Sequence, residues 1–361
     1  MKKQTKIAAA LSAAAFMMMV SGLPVYAASY GWVTEGDAKV YYDEDGYLTT
    51  DAWRKRGEDW FYLGEDGQIV KSKKIDEYYV DDEGKMVTNA WVELKNEEDP
   101  DSPETPDTFW YYFEKDGKSA VSKWVKFDSK WYYFDESGHM ATGKTEIDGA
   151  TYYLGTEKDG AMKTGWIRLE ENSHVPGSSE SWYYFNSDGK MVTTQYDKKI
   201  DGNYYTFIDG KMQTGWVLMP SKSDVTDSNA ASPRITDYQY YGAAGDGKRA
   251  EGFRSIEGIS GIHEADEVYT FCFKAGKPYV STKKGNSLFT INAKKYAFSD
   301  LGIMQTGRQI VNVANDEIAN FCFGEDGIMK TGKQTIFNEE TGETENWFFH
   351  TLKISQIQHP I

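Results

Sequence analysis

The polar and apolar positions of this chain repeat one short pattern. From Trp124 it runs Trp-Val-Lys-Phe-Asp-Ser-Lys-Trp-Tyr-Tyr-Phe-Asp-Glu-Ser-Gly-His-Met-Ala-Thr. From Trp166 it runs Trp-Ile-Arg-Leu, an insertion, then Trp-Tyr-Tyr-Phe-Asn-Ser-Asp-Gly-Lys-Met-Val-Thr. The unit is a leading aromatic, a spacer, an aromatic run, a few polar residues, Gly, any residue, Met, any residue and Thr, usually followed by Gly. The aromatic run is β-prone, with alternate side chains on opposite faces. Asp-x-x-Gly supplies a turn in which Gly takes a positive φ. The leading aromatic starts a partner strand, so each copy predicts a β-hairpin. One hairpin is too small to be stable alone. Stacked hairpins bury one another's aromatic and Met faces, which makes a solenoid.

Marker glycines count about twelve units spaced about 21 residues apart: Gly46, Gly67, Gly84, Gly117, Gly138, Gly160, Gly189, Gly210, Gly247, Gly276, Gly302 and Gly327. Methionine is an independent check. After residue 27, seven of eight Met sit two residues past a marker glycine: Met86, Met140, Met162, Met191, Met212, Met304 and Met329. Longer spacings come from insertions at Val92–Phe109, Ile167–Ser181 and Val217–Asp237, all at the hairpin tip. They read as tolerated polar loops. The pattern is well formed over 28–217 and degenerate over 218–351, where Phe253, Arg308 and Lys333 take the leading position. Residues 352–361 match no repeat.

Composition agrees with short strands and many turns. Tyr numbers 25, Phe 18, Trp 11 and Gly 34 against 11 Leu in 361 residues. The formal charge is −16, and −19 without residues 1–27, which carry three Lys and no acid. Such a surface is unsuited to a nucleic-acid backbone. The N-terminus reads as an export signal. Lys2, Lys3 and Lys6 precede a 14-residue apolar stretch, Ile7 to Val20, shorter than the ~20 residues a membrane helix needs. Val25-Tyr26-Ala27 offers a cleavage site after Ala27, so residues 1–27 are predicted to be a signal peptide and the mature chain to be secreted, without a transmembrane segment.

The two cysteines occupy matching settings, Phe271-Cys272-Phe273 and Phe321-Cys322-Phe323. They read as buried replacements for Tyr in two non-adjacent units, hence free thiols. His139, His174, His263, His350 and His359 are scattered without metal-ligand spacing, and no catalytic motif or cofactor signature is evident. No catalytic residue, metal or cofactor is therefore assigned, and the chain is read as non-enzymatic.

The Thr-Gly-Trp and Trp-Tyr-Tyr-Phe-x3-Gly-x-Met-x-Thr signatures, as at Gly165-Trp166 and Trp131 to Thr142, carry a family resemblance. Over roughly 30–351 the chain resembles the cell-wall-binding repeats of Gram-positive surface proteins. That group includes the choline-binding repeats of pneumococcal autolysins and relatives in glucan-binding proteins and clostridial toxin tails. The resemblance implies an all-β solenoid, with hairpins stacked in a left-handed superhelix. It also implies ligand sites between consecutive repeats, where two Trp of one unit meet a Tyr of the next. An aromatic cage attracts a quaternary ammonium, and aromatic faces also stack on sugar rings.

Requiring cage members to point the same way along Trp131-Tyr132-Tyr133-Phe134 selects the second Tyr of each pair. Four sets follow: Trp53, Trp60 and Tyr79; Trp91, Trp110 and Tyr133; Trp124, Trp131 and Tyr153; Trp166, Trp182 and Tyr205. Lys39 and Glu77 replace the strand Trp in the first and third units, and no cage is predicted beyond Trp216. The implied role is non-catalytic binding, at the cell wall or cell surface, of a polymer: choline-substituted teichoic acid, peptidoglycan or glucan. The other readings are a spacer or adhesin presenting the tip loops, and the binding tail of an enzyme whose catalytic part is absent.

Overall fold

A computed structural model of the protein describes residues 30–96, 106–170, 179–220, 232–243, 245–313, 317–338 and 342–349. The expected signal peptide (1–27), the tail (352–361), His174, His350, His359 and the middles of the three insertions lie outside the described residues. The described residues are almost entirely β. Their helical content is one 3-10 turn, Ile235–Asp237. Thirteen antiparallel hairpins follow one another, from 31–42 to 332–349. They form two compact units, divided between Ala141 and Thr142.

The repeated sequence explains the repeated geometry. In the 123–134 hairpin, Asp128 and Ser129 both take positive φ at the two-residue turn, as the twist of tight hairpins requires. After the second strand, Asp135 Oδ1 accepts hydrogen bonds from the backbone N–H of Ser137 and His139, each at 2.9 Å. Gly138 closes that turn at φ +81°. Most second strands carry a fully buried residue at or next to their end: Leu63, Val80, Phe113, Phe134, Phe185, Phe207 and Phe298. Cys272 and Cys322 are buried free thiols, as the sequence predicts. Each stands opposite the leading position of its hairpin, paired with Phe253 and Arg308.

Two contacts recur between consecutive hairpins. First, the backbone N–H at the Met position donates to the carbonyl of the strand-Trp position in the preceding hairpin. Met86 to Trp60, Met140 to Trp110, Met191 to Thr151 and Met304 to Thr270 are all 2.8 Å; Ser119 to Glu77 is 2.7 Å. Second, Met packs beneath the marker glycine of the following unit. A Cβ on Gly117 would lie 2.7 Å from Met86 Sδ, and one on Gly210 would lie 2.8 Å from Met191 Cε. Met162 and Met304 lie still closer under Gly189 and Gly327. Gly-x-Met is therefore a lock between neighbours, with the glycine required for its φ and for its missing side chain.

The pattern changes toward the C-terminus. Hairpins 286–298 and 307–323 share one five-stranded sheet, joined by a parallel pairing of Asn286 with Val311 and Ser287 with Asn312. The Asn312 side chain reinforces the seam by donating to the carbonyls of Lys284 (3.1 Å) and Asn286 (2.9 Å).

Candidate aromatic binding junctions

Cross-strand register decides which rings share a face. In hairpin 90–113, Trp91 pairs with Tyr112 and Glu93 with Trp110, so Trp91, Trp110 and Tyr112 project from one face. In hairpin 165–185, Trp166 pairs with Tyr184 and Arg168 with Trp182, giving the same arrangement. The opposite face of the next hairpin closes the junction. It contributes the buried strand-end residue and the ring two residues before it.

The set Trp166, Trp182 and Tyr205 is brought together. Trp166 and Trp182 lie with ring centroids 6.4 Å apart at 83°, and Trp166 meets Tyr205 at 4.7 Å and 65°. Phe207 supports Trp166 from below at 5.6 Å. Burial raises the Tyr205 hydroxyl above its ordinary pKa.

Two other sets assemble around a different tyrosine. Trp91 and Trp110 are 6.5 Å apart at 72°, and the tyrosine that meets Trp91 from the next hairpin is Tyr132, at 4.9 Å, beside Phe134 at 5.4 Å and Phe127 at 5.9 Å. Tyr133 instead packs on Trp124 of its own hairpin at 5.3 Å. Likewise Trp53 meets Tyr78 at 5.3 Å, while Tyr79 packs on Phe113 at 5.9 Å. The physical reason is that a junction joins opposite faces of successive hairpins. Its third ring therefore lies on the face of the strand-end residue: Tyr132 with Phe134, Tyr78 with Val80. Tyr205 meets that condition because Thr206 separates it from Phe207. Counting back two residues from the strand end is the signal that finds these rings.

Trp60 stands on the same hairpin face as Trp53 and is 40% accessible. The Trp124, Trp131 and Tyr153 set divides between the two units. Within the first, Trp131 is 41% accessible, with Lys126 Nζ 5.7 Å from its ring centroid. Within the second, Tyr153 packs on Phe185 at 6.2 Å.

Aromatic junctions also form outside the four predicted sets: Trp32 meets Phe61 of the next hairpin at 5.8 Å, and Phe253 meets Tyr296 at 4.9 Å. Trp216 meets Phe271 at 5.1 Å and Phe273 at 5.4 Å in the following hairpin. Tyr238 stands in the strand-Trp position, on the face of Trp216. The Trp216 indole N–H donates to the Glu257 carbonyl at 3.0 Å, as Trp32 does to Lys55 at 3.0 Å. Among the described residues, no group of three His, Cys, Asp or Glu is placed to hold a metal ion, and no helix is long and apolar enough to cross a membrane.

Comparison with known proteins places these junctions in context. Residues 121–166 match the family model described as a choline-binding repeat, and residues 178–191 match that of a putative cell wall binding repeat. A flagellin protein model matches residues 3–91, whose described part forms the hairpins above. Glucosyltransferase-S of Streptococcus mutans is 29% identical over 168 residues, covering 42% of this chain and 8% of that protein. Glucosyltransferase-I of Streptococcus downei is 25% identical over 300 residues, covering 76% of this chain and 17% of that protein. The chain thus spans a small part of either relative. Among solved structures, the modular autolysin LytC of Streptococcus pneumoniae with a synthetic peptidoglycan ligand covers 76% of this chain and 52% of its own, at 22% identity and a TM-score of 0.47. CbpJ of the same organism covers 84% of this chain and 100% of its own, at 19% identity and 0.47. The resemblance to choline-binding and cell-wall-binding repeats read from the sequence stands on the two repeat matches.

Proposed function

We propose that this chain is a secreted, non-catalytic binding protein of the Gram-positive cell wall or surface. In this reading the aromatic junctions between hairpins take choline-like or glycan groups of a surface polymer. The observation that carries it is the Trp166, Trp182 and Tyr205 junction, where two near-perpendicular indoles share one hairpin face and the first of them meets a phenol from the next hairpin. An aromatic ring face attracts a quaternary ammonium by cation–π interaction. The charge of −16 draws cations toward the surface. The choline-binding repeat match over 121–166 supports the same ligand chemistry. The match of the chain to small parts of two glucosyltransferases keeps a glucan as the second reading.

The test is retention of the full chain on purified Gram-positive cell walls, with and without excess choline, beside retention on an insoluble glucan. Retention on walls that choline abolishes supports the choline reading; retention on glucan that choline does not affect selects the second. A Trp110→Ala, Trp182→Ala double variant that folds normally and is retained as well as wild type on both supports would remove the junctions from the binding site.

A further inference from the structure

Not every junction is aromatic. Four leading positions carry a basic residue, Lys74, Lys144, Arg308 and Lys333, and in the first three the cation lies over the ring the next hairpin presents. Lys74, paired across its hairpin with Tyr79, places Nζ 4.5 Å from the Tyr111 ring centroid. Lys144, paired with Tyr153, places Nζ 4.8 Å from the Tyr183 ring. Arg308, paired with Cys322, places Cζ 4.5 Å from the Trp347 ring. The receiving rings stand two residues before Phe113, Phe185 and Phe349, the same position as Tyr132 and Tyr205. The separations match those from Trp91 to Tyr132 and from Trp166 to Tyr205, 4.9 and 4.7 Å. In these junctions the chain's own charge stands over the ring that receives the leading Trp elsewhere.

We infer that Lys74, Lys144 and Arg308 are resident cations that close their junctions to external ligand, so that these side chains set how many binding sites the protein offers. Tyr111 and Tyr183 are 7% and 3% accessible beneath their lysines. A basic side chain on a buried ring gains cation–π attraction while its stem covers apolar surface. The strand-Trp positions at the lysine junctions hold Glu77 and Thr151, which supply no second indole. Yet their carbonyls still accept the junction hydrogen bond, from Ser119 at 2.7 Å and Met191 at 2.8 Å. The backbone frame of a ligand site is therefore intact, and the occupant is built in.

The inference rests on the proposed use of the aromatic junctions for cations, and its test separates the two. Thermal unfolding of the full chain is followed in tetramethylammonium chloride and, at equal ionic strength, in sodium chloride. Lys144→Ala should lower the midpoint by about 1–4 °C in sodium chloride, and tetramethylammonium should restore it, because the small cation enters the emptied junction. Lys144→Arg should keep the wild-type midpoint. Lys74→Ala, in the other unit, is the independent copy. Equilibrium dialysis against choline should show about one additional equivalent bound by each alanine variant. A tetramethylammonium response of both alanine variants no larger than that of wild type overturns the inference. A wild type that does not respond, beside alanine variants that do, leaves the resident-cation assignment standing and removes cation binding from the aromatic junctions.

Discussion

Replacing Gly189 by Ala tests the lock between repeats. Gly189 has φ +81°, and a Cβ there would run into the Met162 side chain of the preceding unit. Gly202 has φ +83° with nothing within 4 Å of the corresponding Cβ. Both substitutions incur the left-handed backbone cost of about 1–2 kcal/mol. Gly189→Ala alone adds overpacking, about 1–3 kcal/mol where the neighbour cannot move freely. The difference between the two variants is therefore the packing of Met162. Urea unfolding followed by tryptophan fluorescence should place Gly189→Ala about 1–3 kcal/mol below Gly202→Ala. In a double-mutant cycle with Met162→Ala, the two changes should be less harmful together than separately by a similar amount. Equal losses at the two glycines, or a coupling below about 0.5 kcal/mol, would refute the lock.

Trp182→Ala removes one wall of the best-assembled junction. It should weaken binding there severalfold to about thirtyfold in choline titrations, with a smaller loss of avidity on whole walls; unchanged affinity at that junction would exclude Trp182 as a ligand contact. Tyr132→Leu should lower choline affinity at the Trp91 junction, whereas Tyr133→Leu should leave it within about twofold, since loss of one cation–π partner is worth at least this much; the reverse order would overturn the opposite-face rule. Burial pushes the Cys272 thiol from 9.0 up to about 11. Native protein at pH 8 should therefore resist iodoacetamide at both cysteines until denaturant is added, read by mass spectrometry. Because this folded-state pKa lies above the unfolded one, the thiol's contribution is complete below pH 9 and declines toward pH 11. Cys272→Ala should flatten that alkaline loss of stability in urea melts.

The hairpins were legible because each repeat carries its own turn chemistry and its own pair of β-prone runs. The seven methionines after marker glycines were legible as a regularity and as buried stacking faces, but the glycine each one meets was not. Met86 meets Gly117 across a unit boundary, and only the stacked structure shows which turn lies above which Met. The third ring of each junction was misread at Tyr79 and Tyr133 for a related reason. Alternation along Trp131-Tyr132-Tyr133-Phe134 separates two faces without saying that one unit's front meets the next unit's back. The resident cations were hidden because the sequence does not show which ring Lys74 and Lys144 meet in the next hairpin. Trp216 seemed the last aromatic of its kind because Phe271, its partner, lies in a unit without tryptophan.

The hydrogen bond from the Met-position N–H to the strand-Trp carbonyl involves main chain on both sides. It is made whether the acceptor residue is Trp60, Glu77, Trp110, Thr151 or Thr270. A gene segment encoding one whole unit can thus be duplicated or excised, and the flanking donor and acceptor will meet each other in the same geometry. Array length and the identity of the leading side chain are therefore separately heritable: gain or loss of a unit changes the first, and point substitution changes the second.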